Sequence, residues 1–165
     1  MLEKVIKDLM KHEGLSLKPY RCISNKLTIG YGRNLDDNGI SKKEAEIMLY
    51  FDVANLINEL DRNVNFWKTQ PVNVKIVLMQ MAYQLGVYGL LGFKRFLEAL
   101  QKNDLNTAKL EMLNSRWATQ TPKRVVDLTK YLDQNTNEDD FKQWNKDIKV
   151  IREFNNAVSN MSLID

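Results

Sequence analysis

A single cysteine, Cys22, in 165 residues excludes an intramolecular disulfide, so the fold must rest on packing. In a reducing cytoplasm that thiol is expected to stay reduced. One histidine, His12, gives no Cys/His cluster with metal-ligand spacing. No metal and no other cofactor is therefore expected. Long apolar runs are missing too. The most apolar stretch, residues 74–93, carries Lys75, Gln80, Gln84 and three glycines, and reads as a buried helix followed by a turn instead of a membrane span. The opening MLEKVIKDLMKHEG has no apolar h-region and does not read as a secretory signal. No helix carries a dense Lys/Arg stripe, and acids are interleaved throughout, which argues against a nucleic-acid binder. There is no internal repeat and no low-complexity tract.

What is present is ordinary globular material, 44% hydrophobic and 27% charged, enough for a real core. The net charge of +3 suits an anionic polymer, and equally a solvated surface with a few extra lysines. Leu2, Val5, Ile6 and Leu9 share one helix face, and Glu13 continues it just before Gly14, a residue that commonly ends helices. A short extended run at Lys18–Ile23, a turn at Ser24-Asn25-Lys26 and a second strand at Leu27–Ile29 suggest a small antiparallel sheet with irregular loops to about residue 40. Ser41-Lys42-Lys43-Glu44 is a capping box opening a helix to about Leu60. Further helices are expected at about 73–85, 93–102, 104–114, 122–132 and 139–160, the last closing the helical core.

The densest chemistry lies in residues 13–35, EGLSLKPYRCISNKLTIGYGRNL. Cleaving a glycosidic bond needs a proton donor for the leaving oxygen and a group that handles water on the other face. Glu13, at the end of an apolar stripe, suits the donor, and the Thr28 hydroxyl suits a water positioner. The plainer reading of Glu13 is a helix-end carboxylate paired with an arginine.

This segment resembles the signature of the phage-type lysozymes, glycoside hydrolase family 24: Glu, eight residues, Asp, five residues, Thr, then Ile-Gly-x-Gly. The matching positions are Glu13, Cys22 where the family has Asp, Thr28, and Ile29-Gly30-Tyr31-Gly32. Gln84-Leu85-Gly86 with Gly92-Phe93 resembles a second family block, and Ser115–Pro122 followed by Arg124 a third. The resemblance implies a mostly helical α+β, lysozyme-like fold with two lobes. The small sheet lobe would cover about 14–60 including a connecting helix, and the larger helical lobe 1–13 and 61–165. A cleft between the lobes would take the polymer.

The resemblance implies an endolysin that hydrolyses the β-1,4 bond between N-acetylmuramic acid and N-acetylglucosamine in bacterial peptidoglycan. A non-catalytic wall-binding or regulatory protein on the same fold is the alternative. Glu13 would be the general acid and Thr28 would hold the attacking water. Cys22 would share the catalytic position as a weak base or nucleophile, or simply line the site, or mark a redox- or metal-sensitive enzyme whose thiol can be oxidised or capped. Gln80, Gln84, Gln120 and Gly32 would contact sugar. Arg124 would pair with Glu13, and Arg33 with Asp52. A free thiol near its reference pKa of about 8.5 is mostly uncharged at neutral pH, so Cys22 is not expected to supply the fixed charge of an Asp. The implied partner is peptidoglycan, with the protein a monomer, not stably inserted in membrane. It would be made in the host cytoplasm and reach the wall after a holin has permeabilised the membrane.

Overall fold

A computed structural model describes residues 1–160. Its contacts divide the chain into two units, residues 1–49 with the last turn of the final helix, and residues 50–156.

The first unit starts with α1, Leu2–Glu13. Gly14 ends it at φ 68°, where its amide donates to the Met10 carbonyl at 3.1 Å. That left-handed conformation costs glycine little and turns the chain into the sheet. Strands β1 (Ser16–Arg21), β2 (Leu27–Gly30) and β3 (Arg33–Asn34) form an antiparallel sheet in that order. Pro19, which has no amide to donate, lies in edge strand β1. The β1–β2 turn is closed by the Cys22 amide donating to the Lys26 carbonyl at 3.0 Å, with Asn25 at φ 59°.

After β3 the expected irregular loop contains a single helical turn, α2 (Leu35–Asn38), capped by the Asn34 side chain. Its acids pin the hairpin. Asp36 accepts from the Leu27 amide at 2.8 Å and from Arg21 at 3.3 Å, and Asp37 accepts from Lys26 at 2.8 Å. Thr28 is the one buried side chain among the described residues of this unit, which is held by polar contacts more than by a core.

Helix α3, Lys42–Asn63, begins with the capping box. The Ser41 amide and hydroxyl donate to the Glu44 carboxylate at 2.7 and 2.6 Å, and the Glu44 amide donates back to the hydroxyl at 3.2 Å. From Tyr50 onward this helix belongs to the second unit, with α4 (Val72–Leu91), α5 (Lys94–Gln101), α6 (Leu105–Leu113), α7 (Arg116–Gln120), α8 (Pro122–Leu132) and most of α9 (Glu138–Asn160).

Helix α4 runs through the core of the second unit. It buries Val74, Val77, Leu78 and Met81, and Ile57, Leu60, Phe96, Leu100, Met112 and Leu128 surround it. Each such side chain stabilises the fold by about 1.5–3 kcal/mol relative to exposure. By length and composition alone α4 would also cross a membrane. Its expected end near residue 85 coincides with a break at Gly86 (φ 72°, ψ 159°), after which the helix resumes.

Helix α9 buries no residue completely, but Trp144, Ile148 and Ile151 pack on the core. Phe154 meets Tyr50 and Phe51 at ring-centroid distances of 5.7 and 5.5 Å.

The mostly helical α+β composition matches the expectation from the sequence. The contacts divide the chain elsewhere than at residues 13 and 60, grouping α1 with the sheet and splitting α3 at Tyr50. The reason is local, since Gly14 passes the chain from α1 directly into β1 and the Glu13 side chain lies against Gly32.

Candidate active site

In the first unit the helix end and the sheet bring Glu13 and Gly32 together. Gly32 has φ 74°, and a Cβ built on it would lie 2.6 Å from Glu13 Oε2 and 3.1 Å from its Cδ. The absence of a side chain there makes the room that the carboxyl occupies. Gly32, expected among the sugar contacts, thus backs the acid directly. Glu13 also lines an open cavity of about 400 Å³ with Gly14, Leu15, Ser16 and Tyr20.

The hairpin ties Cys22 and Thr28 to one acceptor. The Lys26 carbonyl takes the Cys22 amide at 3.0 Å and the Thr28 hydroxyl at 3.0 Å. With its own proton directed to that carbonyl, Thr28 Oγ1 keeps lone pairs for a water proton.

Cys22 Sγ lies 3.6 Å from Ser24 Oγ. The Ser24 hydroxyl foremost, then the Lys26 backbone, hold the thiol pKa down to about 7 from 9.0, against an opposing effect of burial. The sequence reading of a mostly uncharged thiol is therefore corrected, since a pKa of about 7 leaves roughly half of it as thiolate at neutral pH. The charge is lost as pH falls through that value and is complete above it. Alkylation by iodoacetamide should accordingly reach half its limiting rate near pH 7. Ser24→Ala should move that midpoint upward. A wild-type midpoint at the free-thiol value would refute the assignment.

Arg33 does not serve Asp52. Its guanidinium donates to both oxygens of Glu44 at 2.6 and 3.2 Å, and its Nε donates to the Gly39 carbonyl at 2.8 Å. The capping carboxylate lies closer along the chain and offers a bidentate face, which fits a guanidinium better than a point contact does. The Ser41 hydroxyl and amide, assisted by Arg33, hold the Glu44 carboxyl below the usual range. Asp52 is exposed on α3.

In the second unit, Gln80 and Arg124 share the lining of a cavity of about 590 Å³ with Asp127 and Tyr131. Gln84 is engaged otherwise, because its Oε1 accepts from the Trp117 indole at 3.0 Å. That indole is buried and meets Phe93 edge-on at 6.2 Å. Half of the Gln84 amide is therefore committed to holding Trp117. Gln120 is exposed at the end of α7.

Sequence reasoning missed Glu44 as the partner of Arg33 and Ser24 as the group that shifts Cys22. The capping box already pointed to Glu44, but as a local cap. Ser24 had been read only as a turn residue.

The sequence pattern of the phage lysozyme family matches residues 10–132, a span that includes Glu13, the hairpin and Arg124. A Dictyostelium discoideum protein described as probable T4-type lysozyme 2 is 28% identical over 149 residues, covering 72% of this chain and 88% of its own. Probable T4-type lysozyme 1 of the same organism is 27% identical with the same coverage. A match over most of the chain, through both the acid and the helical blocks, places it in a family of glycoside hydrolases: the chain belongs to the phage lysozyme family.

Proposed function

We propose that this protein hydrolyses the β-1,4 bond between N-acetylmuramic acid and N-acetylglucosamine of bacterial peptidoglycan, with Glu13 as general acid. The observation that carries the reading is the Glu13 carboxyl seated in the space left by Gly32, at the head of the Cys22–Thr28 hairpin segment of a phage lysozyme family chain. Glu13 gives its proton to the glycosidic oxygen as the bond to the anomeric carbon breaks. Water held on Thr28 adds to that carbon from the opposite face, and its proton leaves to the Cys22 thiolate or to solvent. Attack by water inverts the anomeric centre, whereas attack by the thiolate itself followed by hydrolysis would retain it. Gln80, Gln84 and Gln120, of the second unit, are read as sugar contacts. In its biological setting the enzyme serves host lysis, acting as a monomer on the wall after a holin has opened the membrane.

The second reading, a protein that binds wall without cutting it, draws on Cys22 standing at the family's Asp position. Purified protein on purified sacculi separates the two. The proposed enzyme clears the suspension and releases fragments with reducing muramic acid ends, inverted at first formation. Fragments with reducing glucosamine ends would refute the assigned bond. Pelleting with sacculi and releasing nothing would favour the binding protein.

A further inference from the structure

Away from the residues discussed so far, the second unit contains a pocket of about 200 Å³ lined by Asp61, Trp67, Lys68, Lys75, Trp144 and Arg152, among others. Lys75 sets its character. It lies on the first turns of α4 at 3% exposure. Its ammonium sits 4.5 Å from the Phe141 ring centre and 6.0 Å from that of Trp144, and it makes no hydrogen bond or ion pair among the described residues. Among these residues no fully enclosed side-chain nitrogen or oxygen lacks a partner, so the tip of Lys75 keeps an opening. The pocket that it lines provides one.

Two ring faces compensate a desolvated ammonium only in part, since the loss of hydration is the larger effect. The one carboxylate in the pocket is already committed. Asp61 accepts from the Trp67 indole at 2.9 Å and from Arg152 at 2.6 Å, and pairs with Lys68 at 3.2 Å. Three cations thus face a single, saturated anion, which leaves a formal charge of two in a cup walled by indoles.

We propose that this pocket binds a phosphate monoester group, with Lys75 as its buried cation and Lys68 and Arg152 at the rim. A phosphate monoester carries about −1.5 to −2 at neutral pH and matches the excess, whereas a carboxylate, with one charge, would leave half of it. The volume admits a small tetrahedral anion more readily than a whole sugar. Trp144 and Arg152 come from α9, beyond residue 132 where the family match ends, so the pocket is not assembled from the family's shared blocks alone. None of its residues belongs to the proposed catalytic set, and the inference stands whatever the outcome for wall cleavage.

The test is titration of the full-length protein with inorganic phosphate at neutral pH. It is read by tryptophan fluorescence, since Trp67 and Trp144 line the site, and by the melting temperature, which rises with any ligand that binds only the folded state. Glucose 6-phosphate and phosphatidic acid vesicles distinguish a free or sugar-borne group from a lipid one, and acetate tests the charge. The expected result is saturable binding of phosphate or one of its esters, with acetate much weaker. Lys75→Met, which keeps the stem, should melt no lower than wild type and weaken phosphate binding at least tenfold. Arg152→Gln should weaken it less. No saturable response to any phosphate compound, equal binding of acetate, or undiminished binding by a folded Lys75→Met would overturn the proposal.

Discussion

Replacing Glu13 by glutamine should lower the rate of wall clearing by roughly 10²–10⁴-fold, the usual contribution of a positioned general acid. The amide keeps the shape and polarity of the side chain and loses only the transferable proton. The fold has little reason to change. Glu13 is exposed, and none of the ion pairs or hydrogen bonds between described side chains involves it. The melting temperature should therefore match wild type, since surface substitutions of this kind stay within about 0.5 kcal/mol. Initial rates on sacculi, compared at equal folded concentration, check the claim. A glutamine variant that clears at more than a small fraction of the wild-type rate would remove Glu13 from the mechanism.

The second large effect should come from an alanine at position 32. Its Cβ would meet Glu13 Oε2 at 2.6 Å, and the backbone there has φ 74°. The left-handed conformation costs a non-glycine residue roughly 1–2 kcal/mol. The clash itself is relieved by moving the carboxyl, which is the end of a flexible side chain, so the protein should still fold. What is lost is the position of the acid, and a misplacement of about 1 Å can cost 10²-fold in rate. Gly30→Ala is the matched control. Gly30 has φ 66° and open space where the Cβ would go. Both variants should melt lower by similar amounts, but only Gly32→Ala should lose activity by tenfold or more. Equal losses of activity in the two would trace the effect to backbone strain and not to the acid.

Local signals in the sequence carried a large part of this architecture. Glu13-Gly14 marked the end of α1, Ser24-Asn25-Lys26 the hairpin, and Ser41 with Glu44 the start of α3, because each depends on chemistry within a few residues. Elements of four or five residues, such as α2 and α7, are too short to show a helical period. The family resemblance singled out Glu13, Cys22, Thr28 and Gly32 as a group, yet it cast Gly32 as a sugar contact when its closest neighbour is the acid. Arg33 had two plausible carboxylates, and which one it takes is decided by the three-dimensional path of the loop through Gly39. The thiol of Cys22 was read at its free value, since the donors around it converge only once the hairpin forms. Lys75 appeared in the sequence only as a polar interruption of an apolar run. Its significance depends on Asp61, Lys68 and Arg152, whose segments are far apart along the chain.

The tilted packing of the Phe154 ring against Tyr50 and Phe51 places the beginning and the end of the second unit side by side. A segment whose termini touch behaves as a closed module. The entropy needed to join residues 50 and 156 through a short linker is small, since the loop to be closed is short. The helical unit is therefore suited to circular permutation, and to transfer into another chain as a single insertion that leaves its own core unstretched.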